Sequence, residues 1–400
     1  MSRGENVSRR ARQLIIGLFV FASVATGFGA PLTFESLEFP SARTEALGGM
    51  HAALADDIST LFSNPAGFRS ADPQFSVTEL SANLTGPLFS IADLVMKMSG
   101  GADPLSMIAD ANVQKLLTSL YASALLNGPL AFGYVGDGLG FGFFNSSGLT
   151  LNTQGTVPTM YASVNEDLLF VGGYAFRIPL PQAMRSTLDL GISIKAFAEG
   201  SVEMSESILD FLSLFSSPIL DILQAQPFTM DVGFGVDTGI LYSWNKTFSF
   251  GIVGRDLYAP VVRNAYASFT AFSTGSAAAM TYGTVPCDLS AGILFSPGLG
   301  SWESYISHFK VLLDYKDIID FLTHPDTATN PVLHVGIGVE CVLLDILALR
   351  GGFNEGYFSA GLGMDLTAFR LNLSMYGTEL STEPGMRPAY NLLVSIEFTY

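Results

Sequence analysis

The chain has 400 residues, of which 48% are hydrophobic and only 14% charged, against roughly 25% charged in typical soluble domains. Its mean hydropathy of +0.39 is high for a soluble enzyme, yet no run past the amino terminus reaches the ~18 apolar residues of a spanning helix. The formal charge of −17 repels phosphates, which excludes nucleic acid as a partner.

In chain order, the first element is an export signal. Arg3, Arg9, Arg10 and Arg12 precede one apolar block, Leu14 to Ala25, and Phe28-Gly29-Ala30 follows with small residues. A basic region, a short apolar core and a small-residue site make residues 1–30 a cleaved signal peptide rather than an anchor. Its loss removes four Arg and one Glu and takes the formal charge from −17 to −20. No cysteine lies near the site, which argues against a lipoprotein. Cys287 and Cys341 are read as free thiols, because two cysteines do not make a disulfide framework.

Residues 42–68 read ARTEALGGMHAALADDISTLFSNPAGF. The pair Asp56-Asp57 could serve acid–base work or hold a cation, but with no histidine or further acid beside it a capping role inside a plug is the simpler reading. Asn64-Pro65-Ala66-Gly67 builds a turn, with proline fixing φ and the asparagine side chain bonding to nearby backbone.

From Phe75 onward the signal is alternation. Leu392, Val394, Ile396 and Phe398 face one side and Leu393, Ser395, Glu397 and Thr399 the other, which is the period of a strand. Segments of this kind fall near 75–82, 129–136, 139–145, 167–177, 187–199, 229–243, 247–256, 285–296, 308–316, 332–343, 346–354, 357–366, 369–377 and 391–400. That predicts about fourteen strands, several of the 9–11 residues that span a bilayer. Links after even strands are mostly short and links after odd strands mostly long: 83–128, 146–166, 200–228, 257–284, 317–331 and 378–390. The tight Glu355-Gly356 link and the longer 297–307 link depart from the rule. Short turns on one side and long loops on the other are the mark of an outer-membrane barrel, and hydrocarbon forces such a barrel to close because unpaired backbone is too costly there.

Two loop segments read as helices. Residues 105–126 and 206–224 carry apolar side chains at helical spacing, either as a greasy vestibule for apolar ligands or as rim packing. Glycines crowd the polar strand faces, as at Gly233, Gly235, Gly239, Gly336, Gly338, Gly361 and Gly363, leaving room for a plug or a ligand. Charges on the same faces form either a self-satisfied network or, at Lys195, Arg350 and Arg370, a place for an anionic head group. Enzyme signals are missing: no H-E-x-x-H, no Walker loop, no dinucleotide fingerprint and no G-x-S-x-G elbow. The reading is therefore not an enzyme, with no catalytic residue, no metal and no cofactor.

The stretch carried by Arg43, Ala46, Gly48, Gly49, Ala53, Ala55, Asp56, Asp57, Asn64, Pro65, Ala66 and Gly67 resembles the amino terminus of the FadL-type family of outer-membrane transporters for long-chain fatty acids and hydrocarbons, including spirochaetal relatives. The resemblance implies an all-β, transmembrane antiparallel β-barrel of about fourteen strands, with residues 31–72 as a hatch in the lumen, 73–400 as the barrel and helical extracellular loops. It implies gating at Asp56, Asp57, Asn64, Pro65, Ala66 and Gly67, and lateral opening of the wall. Further implications are a monomer, assembled by the barrel machinery among outer-membrane lipid, that takes up fatty acids or similar hydrophobic molecules passively. No cationic ligand residue carries over by motif. The alternative is an accessory or structural barrel, a secretion partner or surface antigen, with no transport role.

Overall fold

The computed structural model describes residues 32–99, 110–118, 120–154, 159–207, 223–323, 325, 328–366 and 369–399. The predicted export signal, most of the predicted 206–224 helix and Tyr400 lie outside them. A two-residue strand, β1 (Leu32–Thr33), precedes the wall, which begins with β2 (Gln74–Thr85), β3 (Tyr121–Asn127), β4 (Phe132–Gly136), β5 (Leu139–Gln154) and β6 (Thr159–Ile178). It continues through β7 (Ser186–Ser207), β8 (Phe228–Trp244), β9 (Phe248–Tyr258), β10 (Pro260–Tyr266), β11 (Ala279–Thr284) and β12 (Asp288–Phe295). The last six are β13 (Ile306–Tyr315), β14 (Val335–Leu343), β15 (Leu347–Asn354), β16 (Tyr357–Asp365), β17 (Phe369–Glu379) and β18 (Pro388–Thr399).

Three of these pairs are single barrel strands broken once. β3 and β4 both lie between β2 and β5, β9 and β10 both pair with β8, and β11 and β12 continue that order on the far side. Counted so, β2 to β18 make fourteen antiparallel strands, and β18 closes the ring on β2 over Asn391–Thr399. Closure removes the open edge that lipid would not tolerate.

Side chains alternate as the bilayer requires. On β8, Val232, Phe234, Ile240 and Trp244 are exposed, whereas Asp231, Asp237 and Leu241 are buried inside. The exposed apolar face repeats on β6 with Phe170, Tyr174 and Phe176 and on β16 with Phe358 and Leu362. A closed cylinder with its apolar residues turned outward is a membrane-spanning barrel, and this architecture points to the outer membrane.

Several predicted loops prove to be strand. β5 to β8 run 16, 20, 22 and 17 residues, well past the ~9–11 that cross lipid, so 146–166 is not a long loop but an extended hairpin. The 83–128 loop likewise ends at Tyr121, where β3 begins. Of the helix expected over 105–126, the described residues show Ala111–Thr118, and a second helix, Leu88–Ser99, escapes the sequence reading. Alternation weakens in these outer halves, because above the membrane neither face has to be apolar throughout.

Those helices do not sit over the mouth. Their Leu94 and Leu117 pack with Ala122, Leu151, Met160 and Ala162. Leu151 lies seven residues from Phe144, which packs inward with Leu61 and Phe68, in an unbroken register with β6. An odd separation puts the two on opposite faces, so the helices cover the outside of the extended wall. The lumen is filled instead by residues 42–71, whose Ala42, Ala46, Leu47, Ala53, Ala66 and Phe68 are at most 1% exposed.

Candidate functional site

The amino-terminal segment is folded by its own short-range chemistry. Ser41 caps the helix Ala42–Ala46, its hydroxyl accepting from Arg43 N at 3.3 Å, and Gly48 and Gly49, both with φ near +90° (+88° and +89°), let the chain reverse where a Cβ would be strained. Asn64 then ties three strands of backbone together. Its Oδ1 accepts from Ala66 N at 3.0 Å, and its Nδ2 donates to Ala52 O at 2.6 Å and to Ile240 O on β8 at 3.3 Å. Pro65 opens the 3-10 turn Pro65–Arg69. Gly67 is packed against Thr60 and Ala55 so closely that any side chain would collide.

The wall receives this segment on glycines. A Cβ at Gly191, Gly239, Gly251, Gly338, Gly352 or Gly361 would fall under 3.0 Å from Pro65, Asn64, Ala52, Leu47, Gly48 or Ala46 respectively. The glycines that weaken a strand are here the space in which a second backbone lies.

Charge holds the contact. Arg43 uses all five of its N–H groups: Nε and Nη2 on Glu340 at 2.9 and 2.7 Å, Nη1 and Nη2 on Asp56 at 2.7 and 2.9 Å, and Nη1 on Asp57 at 2.5 Å. Lys310 Nζ donates to Asp56 at 2.5 Å, and Arg350 Nε to Glu340 at 2.8 Å. Three cations face three carboxylates, so the cluster is neutral and satisfied. Burial alone would push the Asp56 carboxyl up, but Arg43 and Lys310 hold it well below the usual range. Asp57 also accepts from Ser59 N at 2.9 Å, bracing the turn before the helix Thr60–Ser63.

A second anchor is His51. Its Nδ1 lies 2.5 Å from Asp314 Oδ2 and its Nε2 2.9 Å from Leu47 O, while Asp314 Oδ1 accepts from Ala52 N at 2.7 Å. Lys316 completes the seat by donating to Gly48 O at 3.1 Å and Asn354 Oδ1 at 2.7 Å.

Beside the charged cluster is a chamber of about 500 Å³. One side is ionic, with Arg43, Asp56, Glu340, Arg350, Arg370 and Glu397; the other is aromatic, with Phe39, Phe62 and Phe144. Those three rings pack at centroid distances of 5.9, 5.8 and 4.8 Å. Asn127 and Ala131, at the break between β3 and β4, also line it, so the chamber reaches the interrupted strand.

The sequence-predicted residues divide accordingly. Asp56 and Asp57 meet Arg350 through Arg43 and Glu340, and Arg370 lines the same chamber with its Nε on Asp365 at 2.8 Å. Asn64, Pro65, Ala66 and Gly67 lie apart, against β7 and β8. Lys195 is elsewhere again: it bridges Asp237 at 3.2 Å and Asp256 at 2.9 Å, and Ser36 donates to Asp256 at 3.0 Å. Each of the three cations named for a head group already has a carboxylate partner. Alternation sets Lys310 and Glu340 on inner strand faces, but no local pattern brings Glu340 to Arg43, 297 residues away, or Lys310 to Asp56, 254 residues away. His51 carries no local signal of its role, because Asp314 is its neighbour only in space.

Among solved structures, the chain is similar to the Pseudomonas putida toluene transporter TodX (15% identity over 92% of this chain and 99% of that chain, TM-score 0.46). It is similar to FadL-type barrels. The monoaromatic hydrocarbon channel CymD matches at 12% identity (88% and 97% covered, TM-score 0.44) and a Pseudomonas aeruginosa FadL homologue at 10% (92% and 99%, TM-score 0.43). No protein-family model matches the sequence, and no curated protein matches it. Among the described residues no group of three or more His, Cys, Asp or Glu is placed to hold a metal ion.

Proposed function

We propose that this barrel admits hydrophobic molecules across the outer membrane by diffusion, with residues 31–72 as a hatch that shifts to let them pass. The observation that carries it is the join between segment and wall. The segment is docked on a glycine shelf and held by ion pairs and hydrogen bonds, which can part and reform, beside a chamber with an aromatic wall. No energy source is needed, since a gradient and affinity suffice. Asp56, Asp57 and Asn64–Gly67 act as hatch residues by holding the closed state.

Fatty acids are the substrate class that the sequence resemblance suggests. The pairing of Lys195, Arg350 and Arg370 with carboxylates favours uncharged apolar passengers over carboxylate anions, because an anion would have to displace an existing partner. The break at residues 128–131, bordering the chamber, is a place for lateral exit. Purified protein in detergent should bind an aromatic hydrocarbon or alkane in preference to a small sugar, and at least as tightly as oleate. Equal binding of sugar and hydrocarbon sinks this reading.

A second reading, an accessory barrel whose lumen stays plugged, draws on the fully satisfied Arg43 cluster. It expects a stable partner at purification and no ligand preference.

A further inference from the structure

The seam between β12 and β13 is short. Five residue pairs join Ala291–Phe295 to Val311–Tyr315, against nine between β13 and β14. Above it, Ile318 N donates to Leu289 O at 2.7 Å, and the chain after β13 enters the helix Asp320–Thr323. Higher still, the edge of β11 that faces away from β10 pairs, among the described residues, with β1 alone. That pairing is parallel, Leu32 opposite Gly283 and Thr33 opposite Thr284, with Phe34 N donating to Thr284 O at 3.1 Å.

β1 is thus a strip of the chain's own amino-terminal segment laid along an otherwise unpartnered wall edge. Past it the chain is inside: Phe34 packs against the lumen-side cluster of Ala259, Val261 and Val285 together with Phe197, and the Arg263 guanidinium carbon lies 4.8 Å from its ring centroid. Gly283 makes the close approach possible, since a Cβ there would strike Leu32 O and the Phe34 ring. The height of the strip follows from register. Gly283 pairs with Val261 and Val261 with Gly233, whose neighbours Val232 and Phe234 face outward at 47% and 44% exposure. The strip therefore lies at the upper part of the lipid-facing belt. The cleft it borders, about 690 Å³, is lined by Thr33, Phe34, Glu35, Glu38 and Pro286, two carboxylates that disfavour an anion.

We propose that β1 is a strap over a lateral port. When it lifts, uncharged apolar molecules dissolved in the outer leaflet pass between β11 and the chain following β13 and reach the patch of Phe34, Phe197, Val261 and Val285. This rests on the transport reading and adds to it a route of admission from lipid rather than from water. Two register pairs and the Phe34 N bond to Thr284 O are what must open.

The test locks the strap. In a Cys287→Ser/Cys341→Ser background, Thr33→Cys and Thr284→Cys place two thiols on paired residues, and heat-modifiable migration in gels verifies that the barrel folds. Uptake of the uncharged dye N-phenylnaphthylamine from the lipid of proteoliposomes should slow at least tenfold on oxidation and recover on reduction. Gly283→Leu, which pushes β1 off its edge, should speed it. If the reduced protein takes up no dye, the transport reading falls and the port with it. If it takes up dye at a rate that neither the disulfide nor Gly283→Leu changes, the port alone falls.

Discussion

At the scale of single residues, Arg43 is the clasp of the amino-terminal segment. Removing it leaves Asp57 without a cation and sets Asp56, Asp57 and Glu340 against only Lys310 and Arg350 in a half-buried site, and taking one partner out of a buried ion-pair cluster costs up to about 3–5 kcal/mol. Arg43→Ala should therefore raise single-channel conductance in planar bilayers and speed proteolysis of the segment, and Arg43→Lys, with three donors in place of five, should fall between. Unchanged conductance would show that the clasp does not hold the closed state. Asn64→Ala leaves Ala52 O without its side-chain donor and Ala66 N without its side-chain acceptor, and unmade buried hydrogen bonds cost ~1–3 kcal/mol each. The same assays should move in the same direction by less.

Glu45 adds a pH dependence. Burial pushes its carboxyl up to about 7, with Glu38 and Glu355 adding to the shift and Lys316 opposing it. A raised carboxylate binds its proton more tightly folded than unfolded. Its contribution to stability is then fully present below the unfolded value near 4.5 and is lost as pH rises towards 7. Glu45→Gln should flatten that fall between pH 5 and 7, by on the order of 1–2 kcal/mol after solvent screening. Thermal melts in detergent across this range check it, and a slope equal to that of the parent would remove Glu45 from the account.

At the scale of elements, the inner strand faces are shaped for a backbone rather than for side chains. Gly251 on β9 and Gly191 on β7 are placed where Ala52 and Pro65 come closest. Gly251→Leu should fold as a barrel, because the ladder of β9 with β8 and β12 is untouched, yet fail to seat the segment. Normal gel mobility with faster proteolysis before residue 72 is the expected pair of results; a seated segment would show that the shelf has slack. The tall hairpins carry the other lesson. Met160, Ala162 and Met204 alternate as if facing lipid, but the helices Leu88–Ser99 and Ala111–Thr118 cover them. Apolar spacing over 105–126 was legible as helix and that over Leu88–Ser99 was not, and the surface that both cover depended on how far the strands rise.

At the scale of the whole molecule, the ring is continuous from β2 to β18 without residues 32–72. Deletion of residues 31–72 should leave a folded, heat-modifiable barrel with high, unregulated conductance. Failure to fold would make the segment part of the assembly pathway instead. The chamber belongs to this scale as well: its aromatic side comes from Phe39 and Phe62 of the segment and Phe144 of β5, and its ionic side from Arg43 and Asp56 of the segment together with β14, β15, β17 and β18. It exists only once the segment is inside.

What the amino-acid sequence determined by itself was whatever repeats at short range. Period-two alternation predicted about fourteen strands and their inner and outer faces, and turn chemistry placed Asn64-Pro65. Tertiary structure alone decided the partners: Arg43 with Glu340, His51 with Asp314 and Leu32 with Gly283. Alternation is a local property of a strand, enforced by two different solvents on its two sides. Pairing across hundreds of residues depends on how the ring closes and what then fills it, and no local pattern encodes that.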